Sequence, residues 1–254
     1  MRGFTTVHYP ELLAYRNEGL RKVGARFTDQ IGAPPARCFY PTFWHSNRAS
    51  DFPSVSLGPW RAGAAGPSMI VAHEATAHRA SVKVLDVGCA AGSFRSYLEL
   101  RDPARTIEYY GVDVAPATDA FPIYPSIASV GTGAFDLVFM SEIAEHMPAD
   151  TFAEEYLRPV AALLKPGGVA IVGVPNPLAP TALQRDITHV QHYPWYDLYA
   201  LLRFFFTDVD VIRTHFVYGP RRLLSLPLKM SLSYFLETDW CEGVTAIARG
   251  PRKT

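Results

Sequence analysis

The sequence has no excess of charge of either sign, few cysteines and no long apolar run, and each shortage removes a class of function. Lys plus Arg and Asp plus Glu both number 24, so the formal net charge is zero. A chain that grips a phosphate backbone carries a clear positive excess, so no nucleic-acid partner is expected. The three cysteines, Cys38, Cys89 and Cys241, form no CxxC pair and no metal-ligand spacing. Reduced thiols and a cytoplasmic location are therefore expected. No apolar stretch nears the roughly 20 residues that span a bilayer. The richest, Leu198 to Phe206, is short and contains Arg203. Met1 to Pro10 shows no basic start followed by an apolar run, so neither a secretory signal nor a membrane partner is expected.

What remains is a chain able to build a large core. Of its 254 residues 48% are apolar and 19% charged, which suits one α/β domain with a small addition. Its organisation falls into three stretches. Residues 1–80 are irregular and rich in Pro, Gly and aromatics, and are expected to form a helical, aromatic-rich cap or lid. Within them Leu12, Leu13, Tyr15, Leu20, Val23 and Phe27 predict a helix from Pro10 to Gln30, weakened by Gly19 and Gly24. Phe39 to Trp60 reads as a loop, in which Tyr40, Phe43, Trp44, Phe52 and Trp60 either line a lid or fill a satellite core. Met69 to Arg79 predicts a short helix.

Residues 81–254 form the second expected domain. Strands are predicted at Val82 to Val87, Ile107 to Val114, Phe135 to Met140 and Val169 to Val174. Helices are predicted at Ser93 to Leu100 and at Phe152 to Leu164, the latter stopped by Pro166-Gly167-Gly168. Such alternation implies a doubly wound, mostly parallel α/β sheet. The third stretch, from Pro175, adds a polar loop, a helix over Tyr193 to Phe206 and strands at Val209 to Phe216 and Gly243 to Ala248. A Pro- and Leu-containing insert separates those two strands. The basic end, Arg249, Arg252 and Lys253, reads as solvated.

The segment Asp86-Val87-Gly88-Cys89-Ala90-Ala91-Gly92 follows an apolar strand and precedes a helix. Open α/β sheets bind ligands at such strand ends, and glycine permits positive φ and close approach of a ligand to the backbone. By itself the segment is a nucleotide loop of some kind or merely a tight turn. A P-loop would need Lys after Gly92, where Ser93 stands. A dinucleotide fingerprint would need Gly at Ala90. Asp113, at the end of the second strand, can accept two hydrogen bonds from a ribose diol.

Four segments in order then resemble the motifs of class I S-adenosylmethionine-dependent methyltransferases: VLDVGCAAGSF, YYGVDV, FDLVFMSEIAEHM and LLKPGGVAIV. They span about Val82 to Val174. The resemblance implies a Rossmann-like sheet with an antiparallel last strand, S-adenosylmethionine as cofactor and a small-molecule acceptor. It implies that Gly88, Cys89, Ala90 and Gly92 form the loop against the methionine portion. Asp86 would order that loop, Asp113 would hold the ribose, Val114 would touch adenine, and Met140 and Ser141 would lie beside the cofactor. Ala90 departs from the commoner glycine. The adenine wall after the third strand is poorly matched in Phe121 to Gly133. A homodimer is compatible with the sequence.

Two groups are candidates for handling the acceptor's proton. His146 follows the fourth strand, and its ordinary pKa suits base work near neutrality; the alternative is that Glu145-His146 caps or packs the next helix. Asp186, His189 and His192 lie within seven residues after the fifth strand. They would contact the acceptor, supply a base or cap the helix near Pro194. No second carboxylate accompanies them, so no metal is expected. These features predict O-methylation of a hydroxylated metabolite such as a sugar, glycoside or other natural product. N-methylation of an amino sugar or peptide, and a non-methylating cofactor-binding cyclisation catalyst, are the alternatives. Methylation of a nucleic-acid base is disfavoured: the VPNPL of Val174 to Leu178 follows the fifth strand rather than the fourth.

Overall fold

The computed structural model describes residues 3–29, 66–131, 134–177, 188–214 and 243–252. The aromatic loop with Tyr40, Phe43, Trp44, Phe52 and Trp60, the residue Asp186 and the insert before the last strand lie outside the described residues. Within them, seven strands form a single sheet in the order β3-β2-β1-β4-β5-β7-β6. In chain order they are β1 (Ser81–Val87), β2 (Thr106–Val112), β3 (Ile123–Tyr124), β4 (Phe135–Ser141), β5 (Leu164–Pro175), β6 (Phe206–Thr214) and β7 (Gly243–Pro251). β1 to β5 pair in parallel, and β7 runs antiparallel between β5 and β6. The Rossmann-like sheet with an antiparallel end is thus as expected.

The period-two alternation of the central strands divides the core into two layers. Val82, Val84, Leu137, Phe139, Val169 and Ile171 face one side. There they meet Ile70 and Ala72 of α3 (Pro67–Thr76) and Phe94, Tyr97 and Leu98 of α4 (Ser93–Arg101). Leu85, Val87, Val138, Met140, Ala170 and Val172 face the other. They pack on α5 (residues 149–163, with a π-helical stretch at Phe152–Leu157) and α6 (Trp195–Phe205). A sheet covered on both faces explains the near-continuous apolar strands.

Three predicted boundaries moved for physical reasons. Pro166-Gly167-Gly168 does not separate a helix from a strand; it is a bulge inside β5. Gly167 takes φ +75°, and a Cβ on Gly168 would stand 2.9 Å from two backbone oxygens. The second strand ends at Val112, with Asp113 N–H still donating to Tyr124 O of β3 at 3.0 Å, so the Asp113 side chain and Val114 project beyond the strand end. The N-terminal helix is real, as α2 (Tyr9–Asp29), preceded by the single turn α1 (Phe4–Val7). The predicted face holds in part: Leu12 packs on the core and Tyr15 is half-buried, but Leu13 and Leu20 are exposed, while Gly19 lies flat on Tyr199 of α6. Glu18 accepts hydrogen bonds from Tyr199 Oη at 2.8 Å and Arg203 Nε at 3.1 Å, and Arg16 pairs with Asp197 at 3.1 Å. Phe4 stacks on Phe205 in the main core. No described helix is long and apolar enough to cross a membrane.

Candidate active site

The chain reverses its strand order between β1 and β4, and such switch points in open α/β sheets leave a crevice at the strand ends. The loop after β1 occupies this place. It turns through Gly88 at φ +78°, Ala90 at +43° and Gly92 at +77°. Gly88 N–H donates to Val112 O at 2.7 Å, and Gly92 N–H donates to Cys89 O at 2.7 Å. The glycines have internal as well as ligand-related reasons. A Cβ on Gly88 would stand 2.3 Å from Ile143 Cγ2, and one on Gly92 would stand 2.5 Å from the Phe121 ring. Ala90 holds a left-handed conformation that costs an L-residue about 1–2 kcal/mol. Its N–H donates to Asp113 Oδ2 at 2.8 Å, which fixes it there.

Asp113 also accepts Ala115 N–H on Oδ1 at 2.8 Å. Each carboxylate oxygen has two acceptor sites, so one on each oxygen is still available to a diol. The outward faces of Gly88, Ala90 and Ala91 are exposed beside it, and Val114 is 88% exposed. An acceptor carboxylate next to an open backbone ridge and an exposed valine fits a nucleoside. Asp86 lies beneath the ridge, buried, and accepts a hydrogen bond from the Tyr109 hydroxyl. Burial pushes its carboxyl up to about 7; the Tyr109 bond opposes this and the charge of Asp113 adds to it. Cys89 is buried, its Sγ against Gly111, and burial pushes its thiol up to about 12. It is a packing thiol rather than a reactive one. Met140 is fully buried, and Ser141 Oγ shares a 2.7 Å hydrogen bond with Ser68 Oγ of α3.

Immediately after β4, Glu142 takes φ +58° and Ile143 reaches back to Gly88. The next three residues form one 3-10 turn, Ala144–His146. The Glu145 carbonyl accepts the N–H groups of Val190 at 2.9 Å and Gln191 at 3.0 Å. This pins the segment around residue 190 beside the turn and brings together residues more than forty positions apart. His146 and His189 meet edge to face with ring centroids 4.8 Å apart. Thr188 Oγ1 lies 2.9 Å from His146 Nδ1, and His189 Nε2 lies 4.0 Å from Glu145 Oε1. A pocket lined by Glu145, Pro175, Pro177, His189, Gln191, His192 and Tyr193 opens on this group.

Of the proposed acid–base residues, the structure therefore unites His146 with His189 and places His192 on the same pocket wall. Asp186 lies outside the described residues. Glu145 is the member that sequence reasoning passed over. Its side chain is 3% exposed, and neither carboxylate oxygen has a hydrogen-bond partner among the described residues. Burial, and then the charge of Glu142, push its carboxyl upward. The Tyr193 hydroxyl in the same pocket is also buried without a partner. Among the described residues α5 and α6 begin after Pro148 and Pro194, and neither N-terminus receives a side-chain cap. Two buried, unpartnered polar groups facing one pocket mark a place for a polar ligand.

The model of a methyltransferase-domain family matches residues 61–209, more than half of the chain. None of the curated proteins matches the sequence. Among solved structures, the chain is similar to a SAM-dependent methyltransferase from Archaeoglobus fulgidus, at 19% identity and a TM-score of 0.53; the match covers 74% of this chain and 95% of that one. It is also similar to phospholethanolamine N-methyltransferase 2 from Haemonchus contortus, solved with phosphomonomethylethanolamine and S-adenosylhomocysteine. There the identity is 14% and the TM-score 0.51, over 75% of this chain and 54% of that one. Fold, family model and the order of the four motifs agree: the chain belongs to the methyltransferase-domain family, as a class I S-adenosylmethionine-dependent methyltransferase.

Proposed function

We propose that this methyltransferase acts on a hydroxyl oxygen of a small metabolite, of the sugar, glycoside or natural-product kind. The observation that carries the reading is the Glu145–His146–His189 group, of which Glu145 and His189 line a pocket. Asp113, Gly88, Ala90 and Val114 would touch the cofactor. Asp86, Cys89, Gly92, Met140 and Ser141 would shape its seat from beneath.

S-adenosylmethionine supplies an activated methyl on a sulfonium centre. The protein must orient the acceptor, which can contribute on the order of 7–11 kcal/mol, and must manage its proton. A hydroxyl is a poor nucleophile until that proton is taken, whereas an amine needs only to bind deprotonated. A carboxylate and two imidazoles at the pocket wall are suited to the harder case. With Thr188 on Nδ1, His146 keeps Nε2 for a proton or a ligand. Tyr193 and His192, which line the same pocket, would hold a polar acceptor.

The test is a panel of hydroxyl and amine acceptors with methyl-labelled cofactor. Transfer to hydroxyls is expected. Transfer to amines alone would establish N-methylation instead, and cofactor bound but unconsumed during product formation would establish a cyclisation catalyst. His146→Ala should lower turnover by about 10²–10⁴-fold and leave affinity for S-adenosylhomocysteine unchanged. Unaltered turnover would make His146 structural.

A further inference from the structure

We propose that Glu145, His146 and His189 form the ligand set for one first-row divalent cation, of the zinc or cobalt kind, at the inner end of the acceptor pocket. The site deepens the reading above by stating how the hydroxyl loses its proton. Metal binding itself stands apart from that reading.

One ligand atom from each of the three side chains lies within 4.8 Å of the other two. In a tetrahedral site with bonds of about 2.0–2.1 Å, ligand atoms stand about 3.3 Å apart. Closing that difference takes a displacement of about 1 Å or less per ligand, within reach of side-chain torsion alone. The burial pattern also suits a cation. A carboxylate with both oxygens shielded is costly, and a bound cation would offset that cost through the oxygen it takes. Thr188 on His146 Nδ1 is the kind of outer contact that orients a metal-binding imidazole through its second nitrogen.

Two imidazoles and one carboxylate favour zinc, iron(II), cobalt or nickel over magnesium or calcium, which take oxygen ligands. Three protein ligands leave a coordination position open, as catalytic sites do. The pocket with His192 and Tyr193 faces it. An acceptor hydroxyl bound there would be acidified by the cation and release its proton to water before receiving the methyl group. The ligand spacing is invisible in the sequence, because the ligands come from two segments more than forty residues apart, joined by the hydrogen bonds to the Glu145 carbonyl and between Thr188 and His146.

The experiment uses the full chain, stripped with a chelator and titrated with Zn²⁺ by calorimetry and with Co²⁺ by visible absorption. One equivalent is expected, with the absorption of a low-coordinate cobalt site. Glu145→Gln, His189→Ala and His146→Ala should each weaken binding by at least about tenfold, since even outer contacts cost about 10–100-fold. His146 is exposed, so its variant keeps a folded core even if the Glu145 variant does not. No binding, or binding indifferent to His146→Ala and His189→Ala, overturns the site. Affinity for S-adenosylhomocysteine and acceptor turnover, measured on the same samples, separate the two claims. Full turnover in stripped protein that binds no cation sinks the metal site and leaves hydroxyl methylation standing. Cobalt bound as described without transfer to any hydroxyl does the reverse.

Discussion

At Asp86, burial acts against the hydrogen bond from Tyr109, and the balance leaves the carboxyl protonating near neutrality in the folded chain. An unfolded aspartate titrates near 3.8. Between about pH 4 and pH 7 the folded state therefore holds a proton that the unfolded state has released, so this residue's contribution is full below that window and is lost as pH rises through it. The loss is up to about 4 kcal/mol at pH 8, at about 1.36 kcal/mol per pKa unit. Asp86→Asn keeps an acceptor for Tyr109 and removes the charge. Its Tm should exceed that of the parent at about pH 8 and converge on it near pH 4. Melting curves that stay parallel across the window would remove the effect from Asp86. Asp113 acts differently, because it holds Ala90 and Ala115 by their N–H groups and also faces solvent. Hydrogen bonds to a charged group contribute about 1.5–3 kcal/mol. Asp113→Ala should thus weaken S-adenosylhomocysteine binding by about 10–100-fold in calorimetry, and unchanged affinity would refute the ribose assignment.

Among the elements, α2 shows how tertiary contact overrides local preference. Gly19 costs the isolated helix about 1 kcal/mol relative to alanine. In the fold a Cβ there would stand 2.6 Å from the Tyr199 ring, which is 1% exposed and tied through its hydroxyl to Glu18. Overpacking of this kind costs about 1–3 kcal/mol. Gly19→Ala should accordingly lower Tm despite the better helix former; a rise would mean that α2 does not sit flat on α6. Asp136 at the opposite end of β4 has a related role. It accepts Lys83 N–H at 2.8 Å, Lys165 Nζ at 2.9 Å and Arg79 Nη1 at 2.5 Å, and so staples β1, β4 and β5 together where they enter the sheet. Burial alone would raise its carboxyl, but these donors hold it below the usual range. The active-site end of the sheet has no comparable clamp of cations on a carboxylate among the described residues.

For the molecule as a whole, the sheet was legible because a strand buried on both faces must be largely apolar, and apart from Lys83, Asp86 and Asp136 the segments Val82 to Val87, Phe135 to Met140 and Val169 to Val174 are. The loop after β1 was legible for a second reason: Asp86, Gly88, Gly92 and Asp113 each lie within a few residues of a strand end, so local sequence spacing is enough to place them. The acceptor site had no such shortcut. His189 gains meaning only from His146, some forty residues away, and Glu145 only from its burial, which no local pattern announces. The part of α2 that meets α6 was hidden for the same reason, since Gly19 marks a contact with a residue 180 positions later.

The two hydrogen bonds from Val190 and Gln191 to the Glu145 carbonyl have a thermodynamic corollary. Gly88 touches Ile143, Ile143 is two residues from Glu145, and Glu145 holds the wall of the acceptor pocket. If the loop after β1 seats the cofactor and the pocket takes the acceptor, as proposed, Ile143 lies between the two seats. If filling either seat shifts Ile143, the other must respond, and by an equal factor in both directions, because linkage between two binding equilibria is reciprocal. Saturating the chain with S-adenosylhomocysteine would then change acceptor affinity by the same ratio as acceptor changes the affinity for S-adenosylhomocysteine. Order of addition would alter how fast the ternary complex forms but not how stable it is.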